Sequence, residues 1–317
     1  MTMATPPLAS TTLFADLDVA VELDAPLAKH TWYGIGGSAD ALVRPQTTEA
    51  LATLLRRCAR NGVRVRVLGS GANLLVGDDG VEGVVIVLDA PCFKELQLNA
   101  EGPVTSARVG GGRDLGKTIR ETVAAGLAGL EPLIGIPASI GGAIRMNAGG
   151  KYGAIGDVVR SVTVIGLDGE ERSYEGAQVR FEYRHTDLPA GIISSAVLSL
   201  RASDPVALRA RAREISEYKA SVQPLAEHSA GCMYKNPVHP ATGQRVSAGK
   251  LIDDAGLKGT RVGGALVSRQ HGNFIVVEPG ARASDVAELA ALVADETFRR
   301  TGVRLEREVV FWRRGEA

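Results

Sequence analysis

Glycine-rich loops are the feature that most constrains how this chain of 317 residues can fold. The 38 glycines concentrate in the first half, in the stretches WYGIGGSAD, VLGSGANLLVGDDG, RVGGGRDLG and GIPASIGGAIRMNAGGKYGAIG. Glycine adopts positive φ angles and lets backbone N–H groups approach a ligand closely. Repeated small-residue loops can therefore surround an anion such as a pyrophosphate, although any one of them alone could equally be an ordinary turn.

The two commonest nucleotide-binding motifs are missing from these loops. The stretch GSGANLLVG follows the strand-like VRVRVL, but no G-x-G-x-x-G pattern opens a helix there. The pattern G-x-x-x-x-G-K-[ST] is also missing. A Rossmann fold and the common P-loop NTPases are therefore disfavoured.

Charge and hydropathy argue against two classes of partner. Lysine plus arginine and aspartate plus glutamate number 36 each, so no net positive charge attracts nucleic acid or anionic lipid. The longest apolar runs, such as VVIVL at 84–88, fall far short of the roughly 20 residues that cross a bilayer. The start MTMATPPLAS lacks the basic and apolar regions of a secretory signal. We expect a cytoplasmic protein with a flexible leader over residues 1–20 and no nucleic-acid or membrane partner.

The cysteines and histidines predict neither a disulfide framework nor a metal site. Cys58, Cys92 and Cys232 are few and scattered, and the five histidines show no metal-ligand spacing. Cys58 continues the helical spacing of Leu51, Leu54 and Leu55, so we expect its side chain in a hydrophobic core.

Mixed helix and strand patterns predict an α+β fold. The stretch 49–62 has the spacing of a helix that ends at Asn-Gly, and 284–302 has that of a second helix. Asp168-Gly169 has the composition of a tight hairpin turn. Residues 303–312, VRLEREVVFW, alternate as a strand does. A domain boundary is expected near residue 203, where Asp204 and Pro205 can begin a helix.

Seven ordered stretches between about Leu27 and Trp312 resemble one family. They are HTWYGIGGSADALV, VLGSGANLLV, GLEPLIGIPASIGGAIRMNAGGKYG, FEYRHTDL, SAGCMYKNP, AGKLIDDAGLKGTRVGGALVSRQHGNFIV and LEREVVFW. Their order and spacing are similar to those of the UDP-N-acetylenolpyruvoylglucosamine reductases, the MurB family. The run between FEYRHTDLP and the strand IISSAVLSL is short, so the chain resembles the second type of the family, which lacks an extra tyrosine-bearing loop.

The resemblance implies a fold, a reaction and its partners. The fold would be an α+β FAD-binding fold of the vanillyl-alcohol oxidase/p-cresol methylhydroxylase type with a smaller α+β substrate domain. The enzyme, UDP-N-acetylmuramate dehydrogenase, would bind FAD non-covalently and act as a monomer. With NADPH as co-substrate, it would reduce UDP-N-acetylglucosamine enolpyruvate to UDP-N-acetylmuramate in peptidoglycan synthesis.

The sequence patterns and the resemblance together divide the chain into five parts. After the leader, residues 21–85 and 86–202 would form two FAD-binding subdomains. Residues 203–302 would form the C-terminal substrate-binding domain, and residues 303–317 a terminal strand that returns to the active site.

Two groups of small residues match the cofactor motifs of the family. The resemblance places Gly69, Ser70, Gly71, Ala72, Asn73 and Leu74 along the FAD pyrophosphate. It places Gly135, Ile136, Pro137, Ser139, Gly141 and Gly142 on a second side of the cofactor. Thr31, Gly36 and Gly37 match an early motif that we expect near the flavin too.

Arg184 and Glu308 match two catalytic positions of the family. In the reaction that the resemblance implies, hydride transfer from flavin N5 to the vinyl carbon would leave enolate-like charge beside the substrate carboxylate, and an arginine fork can bind that charge. Thr186 stands where relatives usually carry serine. Alternation places Glu306 and Glu308 on the same face of a strand, so periodicity cannot choose between them; the family register selects Glu308, which would share stabilisation of the enolate.

Cys232 occupies the position at which many relatives carry the serine that protonates the carbanion. A cysteine thiol has a pKa of about 8.5 and is a far stronger acid than an alkanol, so it donates a proton more easily near neutral pH. Without the motif, a buried cysteine in a loop would be the plainer interpretation. The thiol could also act by holding a water molecule that donates the proton.

Asn236, Lys219 and Tyr183 are the candidate substrate-binding residues by resemblance, whereas His271 is expected to be structural. Two other functions stay open on the sequence. One is an FAD-dependent alcohol or sugar oxidase of the same fold, which would leave Arg184, Cys232 and Glu308 unexplained. The other is a catalytically silent nucleotide-binding protein, which would be expected to have lost those three residues.

Overall fold

The computed structural model describes residues 12–101 and 104–316 and confirms the α+β fold. The helices are α1 Thr48–Arg60, α2 Leu115–Ala124, α3 Ile140–Arg145, α4 Pro205–Val222, α5 Ala248–Asp254 and α6 Ala283–Thr301. Among the described residues, none of these helices is long and apolar enough to cross a membrane.

The strands of the described residues are numerous and mostly short. They are β1 Val19–Pro26, β2 Ser38–Pro45, β3 Val65–Val67, β4 Leu74–Val76, β5 Val81–Ile86, β6 Leu96–Glu101, β7 Val104–Gly110, β8 Leu127–Ala128, β9 Gly149–Gly150, β10 Gly153–Ala154, β11 Val159–Gly166, β12 Glu171–Glu175, β13 Phe181–Glu182, β14 His185–Thr186, β15 Gly191–Ala202, β16 Ser229–Cys232, β17 Arg261–Val262, β18 Ala265–Val267, β19 Phe274–Val277 and β20 Val310–Trp312.

These elements form two compact units that do not follow chain order. The first unit contains the residues up to Ala25 together with Ala39–Ser70 and Gly83–Glu217. The second contains Pro26–Ser38, Gly71–Glu82 and the residues from Tyr218 onward. No local sequence pattern indicates that two short N-terminal segments join the C-terminal unit, and the finer five-part division stays a prediction.

A four-stranded sheet and helix α1 build the first core of the first unit. The strand order is β1-β2-β5-β3, and the Thr47 hydroxyl accepts a hydrogen bond from the Ala50 N–H at 3.1 Å, which caps α1. The side chain of Cys58 is fully buried in this core, as predicted, and burial raises its pKa to about 12. Of the predicted leader, residues 1–11 lie outside the described residues, whereas Leu13 is buried in the same core.

A six-stranded sheet forms the second core of the first unit, covered by α2 and α3. The order is β12-β11-β15-β7-β6, with β8 beside β15. The predicted hairpin turn at Asp168-Gly169 joins β11 to β12, and Gly169 has a φ of 76°. The sheet contributes Val162, Val164, Ala196 and Leu198 to one buried cluster with both helices.

The second unit is an antiparallel sheet with the order β16-β19-β18-β17, packed against α5 and α6. Helix α6 ends before Gly302, which has a φ of 69° and lies where the sequence predicted the stop. The stretch SAGC forms strand β16, and its register against β19 shifts between Ser229 and Cys232. One prediction was wrong here. Residues 303–312 were predicted to form one strand, but the strand comprises only Val310–Trp312, which pairs in parallel with β4.

Candidate active site

Two of the predicted cofactor segments meet in the first unit. The Ser70 hydroxyl donates a hydrogen bond to the Pro137 carbonyl at 3.3 Å. A Cβ atom at Gly69 would lie 2.6 Å from the Ser139 hydroxyl oxygen, which itself accepts from the Gly142 N–H at 3.2 Å. The structure therefore brings Gly69 and Ser70 against the segment that contains Gly135, Ile136, Pro137, Ser139, Gly141 and Gly142.

These segments fit the phosphates of a dinucleotide. Gly69, Gly135 and Gly142 are exposed, so the backbone is accessible to a ligand. Neither 69–74 nor 135–142 carries an acidic side chain that would repel an anion. Small residues, accessible backbone and the lack of negative charge are the features from which proteins build anion-binding concavities.

The rest of the first cofactor motif belongs to the second unit. Gly71 has a φ of 67°, and a Cβ atom there would lie 2.0 Å from the His30 carbonyl oxygen. The Gly71 carbonyl accepts from the Trp32 N–H at 3.2 Å. Ala72 and Leu74 are buried, so their side chains pack within this unit. Gly71 thus lets two backbone segments touch.

Thr31, Gly36 and Gly37 stabilise this part of the second unit. The Thr31 hydroxyl donates to the Ala28 carbonyl at 3.2 Å, and the Gly37 N–H donates to the Gly77 carbonyl at 2.9 Å. A Cβ atom at Gly36 would lie 2.5 Å from the Val76 carbonyl oxygen. These contacts explain the early motif by packing, and its expected proximity to the flavin stays a prediction.

Cys232, Glu308 and Asn73 come from three distant stretches that adjoin in the second unit. Strand β16 ends at Cys232, and the carbonyl of the next residue, Met233, accepts from the Glu308 N–H at 2.8 Å. The Asn73 amide donates to the Glu308 carbonyl at 3.1 Å, and the Asn73 carbonyl accepts from the Val310 N–H at 3.1 Å. The predicted proton donor, the predicted acid and a cofactor-motif residue therefore lie on adjoining segments.

The structure distinguishes the two glutamates that strand alternation left equivalent. The Glu306 carboxylate forms an ion pair with the Lys235 ammonium at 2.6 Å, and 74% of the Glu306 side chain is exposed. Glu308 is half-buried on the same segment. Glu306 therefore belongs to a surface ion pair, which leaves Glu308 as the better candidate for chemistry in a partly dry environment.

Asn273 is a residue that the sequence analysis missed. Its side chain is 2% exposed, and its amide contacts both backbone groups of Tyr234: the Oδ1 atom accepts from the N–H at 2.9 Å, and the Nδ2 group donates to the carbonyl at 2.8 Å. The Asn273 carbonyl also accepts from the Met233 N–H at 2.8 Å. Asn273 thus fixes the segment between Cys232 and the Lys235–Glu306 pair. No periodicity reveals such a contact, and the sequence offers only a polar residue directly before an apolar strand.

His271 has a structural role beside this network. Its Nδ1 atom accepts from the Asn273 N–H at 3.1 Å, which requires an unprotonated Nδ1. Burial and the nearby positive charge of Lys258 lower the pKa of His271. The imidazole is therefore neutral near neutral pH and shapes the turn that leads to Asn273.

Arg184 lies in the turn of a two-residue hairpin in the first unit. Strands β13 and β14 pair Phe181 with Thr186 and Glu182 with His185, so Tyr183 and Arg184 form the turn. Arg184 has a φ of 58°, which few non-glycine residues adopt. Its Nη1 atom donates to the Gly149 carbonyl at 2.7 Å, and its guanidinium lies 5.4 Å from the centre of the Tyr183 ring. An unusual backbone angle in a candidate catalytic residue is consistent with a functional constraint.

Thr186, at the position where the family resemblance predicts serine, is accommodated by the same hairpin. Its side chain is 4% exposed, and its hydroxyl donates to the Arg145 carbonyl at 3.1 Å. A serine hydroxyl could make this bond, so the substitution preserves the contact.

The three substrate-binding candidates lie in different surroundings. The Asn236 Oδ1 atom accepts from the Ala248 N–H at 3.0 Å, so this side chain supports the start of α5. Lys219 is half-buried on α4, and Tyr183 is exposed beside Arg184. Their contacts with a substrate stay predictions.

Two family models match separate parts of the chain. Residues 39–174 match the family model of an FAD binding domain. Residues 223–312 match the model of the C-terminal domain of UDP-N-acetylenolpyruvoylglucosamine reductase.

Relatives of the same description cover nearly the whole chain. The UDP-N-acetylenolpyruvoylglucosamine reductase of Desulfosudis oleivorans is 40% identical over 307 residues, which cover 94% of this chain and 96% of that protein. The enzyme of Heliobacterium modesticaldum is 41% identical over 286 residues, covering 90% and 88%. The crystal structure of the reductase from Thermus caldophilus is similar with a TM-score of 0.77 and 38% identity, covering 93% and 99% of the two chains.

The contact at Gly71 predicts a graded loss of stability. Gly71→Ala would combine a left-handed alanine with a clash against the His30 carbonyl, so we expect a loss of roughly 2–5 kcal/mol in the free energy of unfolding and weaker FAD retention. Gly62 is the matched control, because it has a φ of 63° and open space around its Cβ position. Gly62→Ala should cost only about 1–2 kcal/mol. Urea denaturation and flavin content check both, and equal losses in the two variants would contradict the clash.

The Asn273 network predicts a second loss of stability. Asn273→Ala would leave the buried Tyr234 N–H and carbonyl without their partner, which we expect to cost about 2–5 kcal/mol. Asn61→Ala is the control, since its amide makes an exposed bond to the Arg57 carbonyl at 2.8 Å, and surface changes usually stay within about 0.5 kcal/mol. Denaturant midpoints compare the two, and indistinguishable midpoints would show that water replaces the Asn273 amide.

Proposed function

This chain belongs to the UDP-N-acetylenolpyruvoylglucosamine reductase family, and on that premise we propose that Arg184, Glu308 and Cys232 perform the non-flavin part of its chemistry. The protein is an oxidoreductase, UDP-N-acetylmuramate dehydrogenase, that reduces UDP-N-acetylglucosamine enolpyruvate in peptidoglycan synthesis. It uses FAD, with NADPH as the reductant. The observation that carries the proposal is the hydrogen bond between Met233 and Glu308, which sets the proton donor and the acid on adjoining segments.

The small-residue segments at 69–74 and 135–142 are the proposed holders of the FAD pyrophosphate. Their support is the contact of Ser70 with Pro137 and of Gly69 with Ser139. In that site FAD would supply the redox chemistry by which hydride from NADPH reaches the vinyl carbon of the substrate. The protein's own task is to bind the charge that develops at the neighbouring carbon and to deliver one proton there.

Arg184 is proposed to bind the substrate carboxylate and the enolate oxygens. The hairpin turn and the Nη1 bond to the Gly149 carbonyl restrict the guanidinium before substrate arrives. Charge that develops during the reaction is then stabilised without reorganisation of the side chain, which is how preorganised donors contribute most to catalysis.

Glu308 is proposed to donate a hydrogen bond to the enolate in its protonated form. A carboxylic acid can stabilise an enolate in this way when its surroundings keep it neutral. The half-buried position of Glu308 supports this role better than the exposed ion pair of Glu306. The Asn73 amide restrains the Glu308 backbone by donating a hydrogen bond to the Glu308 carbonyl.

Cys232 is proposed to give its thiol proton to the carbanion carbon. The S–H bond breaks, a C–H bond forms, and the thiolate is reprotonated from solvent before the next turnover. Cys232 is half-buried at the end of β16, so it is neither sealed in a core nor fully solvated.

Asn236, Lys219 and Tyr183 are proposed to bind the nucleotide. We also propose that the protein is a cytoplasmic monomer.

Variants of Cys232 test the proton-donor role. Cys232→Ser should retain measurable turnover, because a hydroxyl can still donate. Cys232→Ala should slow the reduction of the enolpyruvyl group on the order of 10²- to 10⁴-fold, the usual contribution of a general acid, while flavin reduction by NADPH persists. Cys92→Ala is the control thiol and should leave both half-reactions unchanged. Normal turnover by Cys232→Ala would exclude this thiol as the donor.

Stopped-flow absorbance of the bound flavin tests the reaction as a whole. NADPH should bleach the flavin, and oxidised absorbance should return only after UDP-N-acetylglucosamine enolpyruvate is added. Mixing with oxygen alone is the control and should restore absorbance far more slowly. Flavin that stays attached after denaturation, together with oxygen-driven turnover, would support an alcohol or sugar oxidase of the same fold instead.

A further inference from the structure

The hairpin that carries Arg184 is too small to hold its own shape. It has two paired residues on each side of its turn, and even a longer isolated hairpin is marginally stable in water. Its geometry must therefore come from contacts with the rest of the first unit.

Those contacts converge on a short segment that begins at the last residue of helix α3. The Thr186 hydroxyl donates to the Arg145 carbonyl, and the Arg184 Nη1 atom donates to the Gly149 carbonyl. Between these two points, the Asn147 Nδ2 group donates to the Glu182 carbonyl at 2.9 Å. Residues 145–149 thus contact both strands of the hairpin and the side chain at its turn.

We propose that Asn147 is a positioning residue that sets the orientation of Arg184 for the enolpyruvyl substrate. The inference rests on the proposed function of Arg184. Asn147 is 9% exposed, and its side chain uses both ends, since its Oδ1 atom accepts from the Gly156 N–H at 3.1 Å. Asn147 therefore connects Glu182, two positions before Arg184, to a buried segment of the same unit by a hydrogen bond.

The chemistry of this position favours asparagine. Asn147 has a φ of 41°, and asparagine and aspartate tolerate the left-handed region better than other non-glycine residues. Of the two, only asparagine has a side-chain N–H for the Glu182 carbonyl. An aspartate would keep the acceptor for Gly156 but would turn a carboxylate oxygen towards a carbonyl oxygen.

Asn147→Asp is therefore the most selective variant. We expect flavin content and flavin reduction by NADPH to stay close to those of the natural enzyme, whereas the thermal midpoint should fall because a carboxylate is buried against the Glu182 carbonyl. Reduction of the enolpyruvyl substrate should slow by about 10- to 100-fold, as expected when a charged donor is misplaced by about 1 Å. The dissociation constant of UDP-N-acetylmuramate, measured by calorimetry, should rise on the order of tenfold.

The matched control is Asn61→Asp. Asn61 also donates its Nδ2 group to a backbone carbonyl, that of Arg57, on an exposed helix end. The same chemical change at this site should alter neither half-reaction nor product affinity. If Asn147→Asp leaves substrate reduction and product affinity unchanged while Arg184→Ala impairs them, the positioning role is wrong.

A double-mutant cycle with Arg184→Ala separates positioning from general damage. If Asn147 acts through Arg184, Asn147→Asp should have little further effect once the guanidinium is removed, because coupled residues are non-additive. Multiplicative losses in rate and affinity would instead show independent damage and overturn the proposal. If Arg184→Ala itself leaves substrate reduction intact, the proposed role of Arg184 fails.

Asn147→Gly keeps the inference testable if the aspartate variant does not fold. Glycine retains the backbone conformation and loses both side-chain bonds. It should show the same selective loss of substrate reduction and the same non-additivity with Arg184→Ala. Full activity in a folded Asn147→Gly enzyme would contradict the proposal.

Discussion

Close approach of one backbone segment to another is the constraint on which both units depend. At Gly112 in the first unit a Cβ atom would lie 1.8 Å from the Leu88 carbonyl oxygen, and at Gly71 in the second it would lie 2.0 Å from that of His30. No side chain fits at such distances, so the loops are rich in glycine because the fold is dense there. The same absence of side chains leaves backbone accessible at Gly69 and Gly142, which is what a pyrophosphate needs. Packing and the proposed binding of a pyrophosphate therefore favour the same residue type.

Dense irregular backbone creates a second requirement, because its N–H and carbonyl groups still need partners. Asparagine meets it repeatedly in this protein. Asn147 supports the hairpin of Arg184, Asn273 pairs with Tyr234 beside Cys232, and Asn73 contacts the Glu308 carbonyl. An asparagine side chain carries both a donor and an acceptor, so it can form the hydrogen bonds that a neighbouring strand would otherwise provide to a backbone N–H and carbonyl. Each candidate catalytic residue therefore lies on or beside a backbone segment that is hydrogen-bonded by an asparagine side chain.

This arrangement explains which features the sequence could predict. Helix α1 with Cys58, the turn at Gly169 and the end of α6 at Gly302 depend on local periodicity and turn chemistry, which a sequence displays directly. The segment 303–309 alternates like a strand, yet its backbone hydrogen bonds to Met233 and Lys235 are isolated and do not form a regular ladder. The amide of Asn147 reaches a carbonyl 35 residues away and that of Asn73 one 235 residues away. Contacts of such separation leave no periodic trace, so family resemblance rather than pattern indicated Arg184 and Glu308.

The three thiols show how the fold gives one residue type different chemistry. Cys58 lies in a core where burial raises its pKa to about 12, so it packs as a small apolar side chain. Cys92 lies at the surface with its thiol donating to the Gln46 carbonyl, and partial desolvation together with Glu95 and Glu49 raises its pKa. Cys232 ends a strand at a register shift, where Asn273 and Glu308 fix the backbone of the residues that follow it. A proton donor must be both accessible and held in place, and among the three only Cys232 has its neighbouring backbone fixed in this way while remaining half-buried. Sequence can count the thiols, but the fold around each thiol sets its environment, and this environment is what supports Cys232 as the proposed proton donor.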